Sequence, residues 1–271
     1  MAMGIVERLV PDGLWEVFQD VAPEAPQRPQ GGGRRRCDDR AVLAAIVFVA
    51  TSGCTWRQLP PVFGASWQTV HRRFADWSAA RVWAKLHRVL LDRLGSKGDV
   101  DWSRCVIHSI SVHAVKGALT GPNPTDRGKN GPEAHVICHR NGLPISVGVS
   151  AANLHDSQAL VPMRRGIPPI RSHREPRRPR PARLHTDKGY DGYDFDHLRN
   201  WLRRRQTVPR IARRGMDNSG RLGRHRWVVE RTLSWMCGCL RLHRRYERKA
   251  EHILAFIGIA SALNCYRRNA N

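Results

Sequence analysis

The sequence predicts a mixed α/β protein: a small all-helical unit followed by a larger unit built on a sheet. Three observations carry that reading. Up to residue 98 the apolar residues recur at helical spacing, from 101 onward they alternate as strand residues do, and strand-like stretches are then interleaved with helical ones.

Residues 4 to 21 make an amphipathic pattern interrupted at Pro11, and "APEAPQRPQGGGRRRCDD" (22 to 39) reads as a Pro/Gly/Arg linker. Asp38 or Asp39 is placed to cap a helix over 40 to 53, Gly53 to end it, and "TWRQLP" leads into a turn at Pro60-Pro61. Ser66 is the expected N-cap of a second helix, in which Trp67, Val70, Phe74 and Trp77 form a buried stripe and Gln68, Thr69, Arg72 and Arg73 stay on the open side. A third helix over 80 to 94 carries Val82, Leu86, Val89, Leu90 and Leu94. This is the outline of a helix-turn-helix module, whose second helix would enter a major groove.

The strand-like stretches are "RCVIHSISV", "AHVICHRNG", "PISVGVSAA" and "ARLHTDKGYD", with Arg140-Asn141-Gly142 as the hairpin signal between the second and third. A helix near "DSQALVPM", another at 193 to 205, a short strand "TVPRIA" and a long helix from 224 complete the unit. "RSHREPRRPRPARLH" (171 to 185) interrupts it, either as a solvated insertion or as a phosphate-contacting loop. The expected organisation is an N-terminal helix and linker (1–39), a helical DNA-binding domain (40–98) and the sheet domain (99–271), with the Pro/Arg loop at 171–183.

Lys and Arg number 46 against 23 Asp and Glu, a formal charge of +23, which points to a polyanionic partner and first of all to nucleic acid. Seven cysteines without paired spacing fit free thiols in a reducing cytoplasm. The apolar runs 41 to 50 and 253 to 263 are shorter than the ~18 to 20 residues that cross a bilayer, so they are read as core helices, and no export signal or membrane partner is expected.

Two acids stand where chemistry is usually presented. Asp187, in "LHTDKGYDG", sits where an apolar strand gives way to a glycine turn. Glu230, in "GRHRWVVERTLSW", lies beside the stripe Val229, Leu233, Met236 and Leu240, with Arg226 one turn earlier. Each also has a plain structural reading, as a turn aspartate and as a helix salt bridge.

The combination "AVKGALTGPNPTDRGKNG…HVICHRNGLPISVGVSAANLHDSQAL…RLHTDKGYD…IARRG…LGRHRWVVERTLSW…RLHRRYERKAEHILAFIGIASALNCYRR" resembles bacterial insertion-sequence transposases of the DDE class, in the insertion-sequence-five group, and "CTWRQLPPVFGASWQTVHRRFADW" is similar to the helical N-terminal part of that group. The resemblance covers nearly the whole chain from residue 40 and implies a ribonuclease-H-like fold in which two aspartates and a glutamate hold two Mg²⁺ (or Mn²⁺) ions. By it, Asp187 is the second aspartate, Glu230 the glutamate and Arg226 the arginine of the family's Arg-x-x-x-Glu element, with Asp187 and Glu230 the metal ligands. It implies double-stranded DNA as partner, both the element's terminal inverted repeats and the target, with a homodimer on DNA and a nucleoid-associated, cytoplasmic place. Lys116 and Lys188 join Gln68, Thr69, Arg72 and Arg73 as the expected DNA contacts.

The family's first aspartate falls on His108, in "VIHSISVHA"; its usual arginine falls on His113, and its usual aspartate before "RNG" on His139. A neutral imidazole offers one nitrogen donor and no charge, where a bridging carboxylate offers two oxygens and a negative charge, so efficient two-metal catalysis should be impaired. The alternative is a catalytically inactive, sequence-specific DNA-binding protein, a repressor-like remnant, with a plain nuclease of the same fold third. A zinc site drawn from Cys105, His108, His113, His135, Cys138 and His139 is disfavoured, because alternation puts Cys105 and His108 on opposite faces. Asp156 is expected to cap the next helix, with replacement of the missing ligand as the sharper alternative, and Asp126 is read as a loop residue.

Overall fold

The computed structural model describes residues 4–25, 36–114, 116–124, 127–173, 177, 180–192, 195–213, 215 and 219–270, leaving aside the side chains of 219–226. Most of the linker, Asp126 and part of the Pro/Arg loop therefore lie outside the described residues.

The break expected at Pro11 separates α1 (Ile5–Leu9) from α2 (Asp12–Gln19), whose Leu14, Val17 and Phe18 are buried. Helices α3 (Asp39–Ser52), α4 (Trp67–Ala79) and α5 (Val82–Lys97) follow. Asp38 accepts the Ala41 N–H at 2.9 Å, Ser66 accepts that of Thr69 at 3.3 Å, and Gly53 closes α3 in the left-handed conformation at φ 72°. Val70, Phe74 and Trp77 are buried as the spacing predicts. Trp67 is only half-buried, with the Arg57 guanidinium 5.8 Å from its ring centre.

The sheet comprises β1 (Cys105–Ser111), β2 (Gly121–Pro122), β3 (Asn130–His139), β4 (Pro144–Ala151), β5 (Arg183–Thr186) and β6 (Val208–Ile211). β1 is antiparallel to β3 and β3 to β4, whereas β5 runs parallel to β1 and β6 parallel to β5. An antiparallel trio continued by two parallel strands, in the order β4-β3-β1-β5-β6 with the first strand central, is the ribonuclease-H-like arrangement; the short β2 adds only a pairing with the start of β3.

Helices α6 (Asp156–Arg165), α7 (Phe195–Arg204), α8 (Ser219–Cys237) and α9 (Ala250–Ala270) pack around this sheet. α8 begins at Ser219, earlier than the apolar stripe alone suggests and in spite of Gly220 and Gly223. Thr232 Oγ1 donates to Gly142 O at 2.7 Å and so pins α8 to the β3–β4 turn. α9 is buried from His252 to Cys265 apart from Leu254 and touches α3, α4, α5 and β4, so one continuous core, with Phe74 stacked on Phe256 at 4.8 Å, serves both the N-terminal helices and the sheet. Among the described residues no helix is long and apolar enough to cross a membrane.

Candidate functional site

β1 and β5 run parallel with Cys105 opposite Leu184 and Val106 opposite His185, so two residues further along His108 comes level with Asp187, just past the end of β5. The side chains meet there: His108 Nδ1 lies 3.1 Å from Asp187 Oδ2, each side chain being less than a fifth exposed. Asp187 Oδ1 accepts the N–H of Gly189 at 2.9 Å, which fixes the carboxylate across the turn.

A second group of polar residues gathers on the neighbouring strand. In the β1–β3 register Ser109 faces His135 and Ser111 faces Glu133, and because side chains alternate along a strand these four share one side of the sheet. α6 packs on β3 and β4; Gly148 permits that approach, since a Cβ there would fall 2.6 Å from Met163 Sδ. The first residue of α6 is Asp156, and its Oδ1 accepts the Ser109 hydroxyl at 3.0 Å and lies 3.9 Å from His135 Nδ1. The expected role of Asp156 as helix cap is corrected here. His155 caps α6, its Nδ1 accepting the Ser157 N–H at 3.3 Å, which leaves the Asp156 carboxylate turned into the site.

The two groups adjoin at Gly189. A methyl group on that residue would stand 2.8 Å from Asp156 Oδ2 and 3.0 Å from Asp187 Oδ1, so the two carboxylates bracket the glycine. Crowding of like charge has a clear signature. Burial, then the Asp156 carboxylate and its hydrogen bond, with a further push from Asp187, raise Glu133 to about 8 against the pull of the Ser111 hydroxyl. Burial, Asp156, Asp187 and Glu133 likewise hold the buried Tyr190 phenol well above its ordinary value. His135 is lowered, chiefly by burial, and is therefore a neutral imidazole near pH 7.

The other expected site residues are placed as follows. Glu230 is exposed on α8, which packs against β1, β3 and β5, while the side chain of Arg226, on the same helix, lies outside the described residues. Lys116 is exposed and Lys188 half-buried next to Asp187. Gln68 and Arg72 are exposed on α4 and Thr69 half-buried beside its cap. Arg73 is not on the open side: its guanidinium pairs with Asp39 of α3 and its side chain is 11% exposed. Cys105 and Cys138 are buried toward the far end of β1 from Ser109 and Ser111, Cys105 opposite His139 and Val106 opposite Cys138, so the disfavoured zinc set does not converge. Glu133 and Ser150 were not singled out from the sequence. Period-two alternation in "NGPEAHVICH" is the signal that places Glu133 beside His135.

The chain matches two family models: the one described as "Putative transposase of IS4/5 family" over residues 10–87, and "Transposase DDE domain" over 93–265. It is 40% identical over 147 residues to "Putative transposase for insertion sequence element IS402" of Burkholderia cepacia, covering 54% of this chain and 68% of that protein. It is 38% identical over 119 residues to "Insertion element IS402 uncharacterized 16.2 kDa protein" of the same organism, covering 43% and 81% respectively. Against a solved pre-cleavage Mos1 transpososome the identity is 12% and the TM-score 0.27, with 95% of this chain and 86% of that chain covered, an overlap too loose to bear on the reading.

Proposed function

The chain belongs to the DDE transposases of insertion sequences, and from that premise we propose that it binds the terminal inverted repeats of its element and cuts and joins DNA by two-metal phosphodiester chemistry, in a form impaired by His108. The observation that carries the proposal is the meeting of positions 108 and 187 at the ends of two parallel strands, 3.1 Å apart at the nearest atoms, as residues of one shared ion site must meet.

The donors that converge suit a divalent cation, with one departure. Asp187 and Asp156 bracket Gly189, and Glu133 stands beside Asp156, so oxygen ligands are present. Position 108, however, contributes an imidazole, whose Nδ1 lies 3.1 Å from one oxygen of Asp187. Divalent ions, when bound in this family, activate the attacking oxygen and stabilise the leaving one. The residues then divide the work: Asp187 and Glu230 are the acids that hold the ions, Lys188 and Lys116 set phosphates near them, and the exposed face of α4 with Gln68 and Arg72 reads the repeat. A net charge of +23 favours double-stranded DNA as partner, and the protein acts on the nucleoid, as a dimer that brings two ends together. His108 equally supports the second reading, a DNA-binding remnant that recognises ends without cutting them.

The experiment is cleavage of DNA carrying the element's own ends, with Mg²⁺ and then Mn²⁺. The unmodified chain is expected to cut feebly, and His108→Asp to raise cutting by one or more orders of magnitude, with that gain abolished by Asp187→Asn or Glu230→Gln. Strong cutting by the unmodified chain that ignores Asp187→Asn and Glu230→Gln would place the chemistry elsewhere.

A further inference from the structure

We propose that Glu133, His135 and Asp156 form a binding site for one divalent transition-metal ion, Zn²⁺ or Mn²⁺, in which His135 supplies its Nδ1 and the two carboxylates supply oxygen. One potential ligand atom from each of the three residues lies within 4.8 Å of the others. The residues come from rigid elements, Glu133 and His135 from alternate positions of β3 and Asp156 from the first turn of α6.

The hydrogen bonds around His135 say what its free nitrogen is for. Its Nε2 lies 2.8 Å from Ser150 Oγ, and the Ser150 hydroxyl in turn donates to Ala151 O at 3.4 Å. A Ser150 proton directed at that carbonyl leaves its oxygen to accept from His135 Nε2–H, an assignment that gives Nδ1 the lone pair. That Nδ1 is buried, has no hydrogen-bond partner, belongs to a side chain only 2% exposed, and faces Asp156 Oδ1 at 3.9 Å. A cation placed between His135 Nδ1 and the two acids, taking the place of the proton Glu133 holds against Asp156, turns their crowding into three attractive contacts. Among the described residues no Lys or Arg makes an ion pair with Glu133 or Asp156, in a chain otherwise rich in both.

Ligand type sets the class of ion. Mg²⁺ takes oxygen ligands in a strict octahedron and keeps much of its water, whereas imidazole suits Zn²⁺ and Mn²⁺ tolerates a mixed nitrogen and oxygen set. Ser150 has the part of the outer partner that holds a ligating histidine in its tautomer and orientation. Glu133 and Asp156 lie near Asp187 but are not the two acids, Asp187 and Glu230, proposed above to hold the ions that cut DNA; the site is tested without DNA, so the two readings fail separately.

The test is calorimetric titration of the intact chain with Zn²⁺ and with Mn²⁺ in excess Mg²⁺, alongside thermal melts that establish folding. Asp156→Asn and Glu133→Gln, which keep shape and remove charge, are expected to weaken binding at least tenfold, Ser150→Ala by about 10-fold to 100-fold, and Asp187→Asn by less than either first substitution. In the unmodified protein, Zn²⁺ is expected to move the ¹⁵N resonance of His135 Nδ1, a readout that needs no variant to fold. Affinity unchanged in Asp156→Asn and Glu133→Gln, or a His135 resonance that stays put at saturation, would overturn the site. Loss confined to Asp187→Asn would also overturn it, and would put the ion on the acids of the cutting reaction instead.

Discussion

His139 Nδ1 accepts the backbone N–H of Asn141 at 2.9 Å, so at the end of β3 an imidazole performs the turn-closing task that a side-chain carboxylate performs in an Asx-turn. The fold therefore accommodates an imidazole at this position. His139→Asn keeps an acceptor at similar reach and is expected to cost less than about 1 kcal/mol, whereas His139→Leu, which removes it, should cost about 1–2 kcal/mol in urea unfolding. Equal stability of the two variants would show that the contact contributes nothing.

Acid should destabilise the protein in a defined window. His87 is fully buried with its Nε2–H donated to Pro144 O at 2.8 Å, and burial pushes it down to about 4; His139 is pushed down to about 4 by the same cause. Both rings ionise near 6.5 in the unfolded chain, so between pH 6.5 and 4 the unfolded state binds more protons and is favoured as pH falls. Stability is full above pH 6.5, declines through this window and levels off below about 4 as far as these two rings are concerned, each contributing on the order of 3 kcal/mol. Unfolding curves at pH 7, 5.5 and 4.5 measure the decline, and His87→Gln should remove part of it. A decline of undiminished size in that variant would assign the effect to other groups.

Gly189→Ala should injure the acid cluster from outside it. The new methyl meets Asp156 Oδ2 at 2.8 Å and Asp187 Oδ1 at 3.0 Å, so both carboxylates must retreat. An expected cost of about 1–3 kcal/mol in melting experiments should come with weakened divalent-ion binding. Unaltered ion affinity would mean the two carboxylates move apart without consequence.

On α4 the two arginines should behave differently. Arg72 is exposed, and Gln68→Ala with Arg72→Ala is expected to reduce preference for the element's ends more than general DNA affinity. Arg73 is tied to Asp39, so Arg73→Ala should lower stability by about 1–3 kcal/mol and leave that preference nearly intact. Binding to random DNA should weaken steeply with salt in all of them. Equal effects of Arg72→Ala and Arg73→Ala on end preference would remove the distinction.

What could be read from sequence was whatever depends on short-range pattern. Caps at Asp38 and Ser66, the break at Pro11, the Asn141-Gly142 turn and the change from helical to strand period all lie within a few residues of one another, and each appears where expected. Residues that act through distant partners escaped. Arg73 points at Asp39 because α3 happens to cross α4 there, and Asp156 enters the site because His155 takes the capping role, a competition between adjacent side chains that spacing cannot decide. Position 108 came into view only through resemblance, since nothing in its local pattern foretells that its side chain meets Asp187.

The burial of α9 ties events at the two ends of the polypeptide. The N-terminal helices leave the ribosome roughly 150 residues before the helix that completes their core, given synthesis at ~5–20 residues per second, and until it arrives Phe74 lacks its long-range partner Phe256. A polypeptide broken before residue 250 is left with neither a finished helical core nor the helix that packs on β4. Premature termination therefore yields no folded half-protein, and the nascent helices, apolar and unfinished for seconds, are the part most open to chaperones.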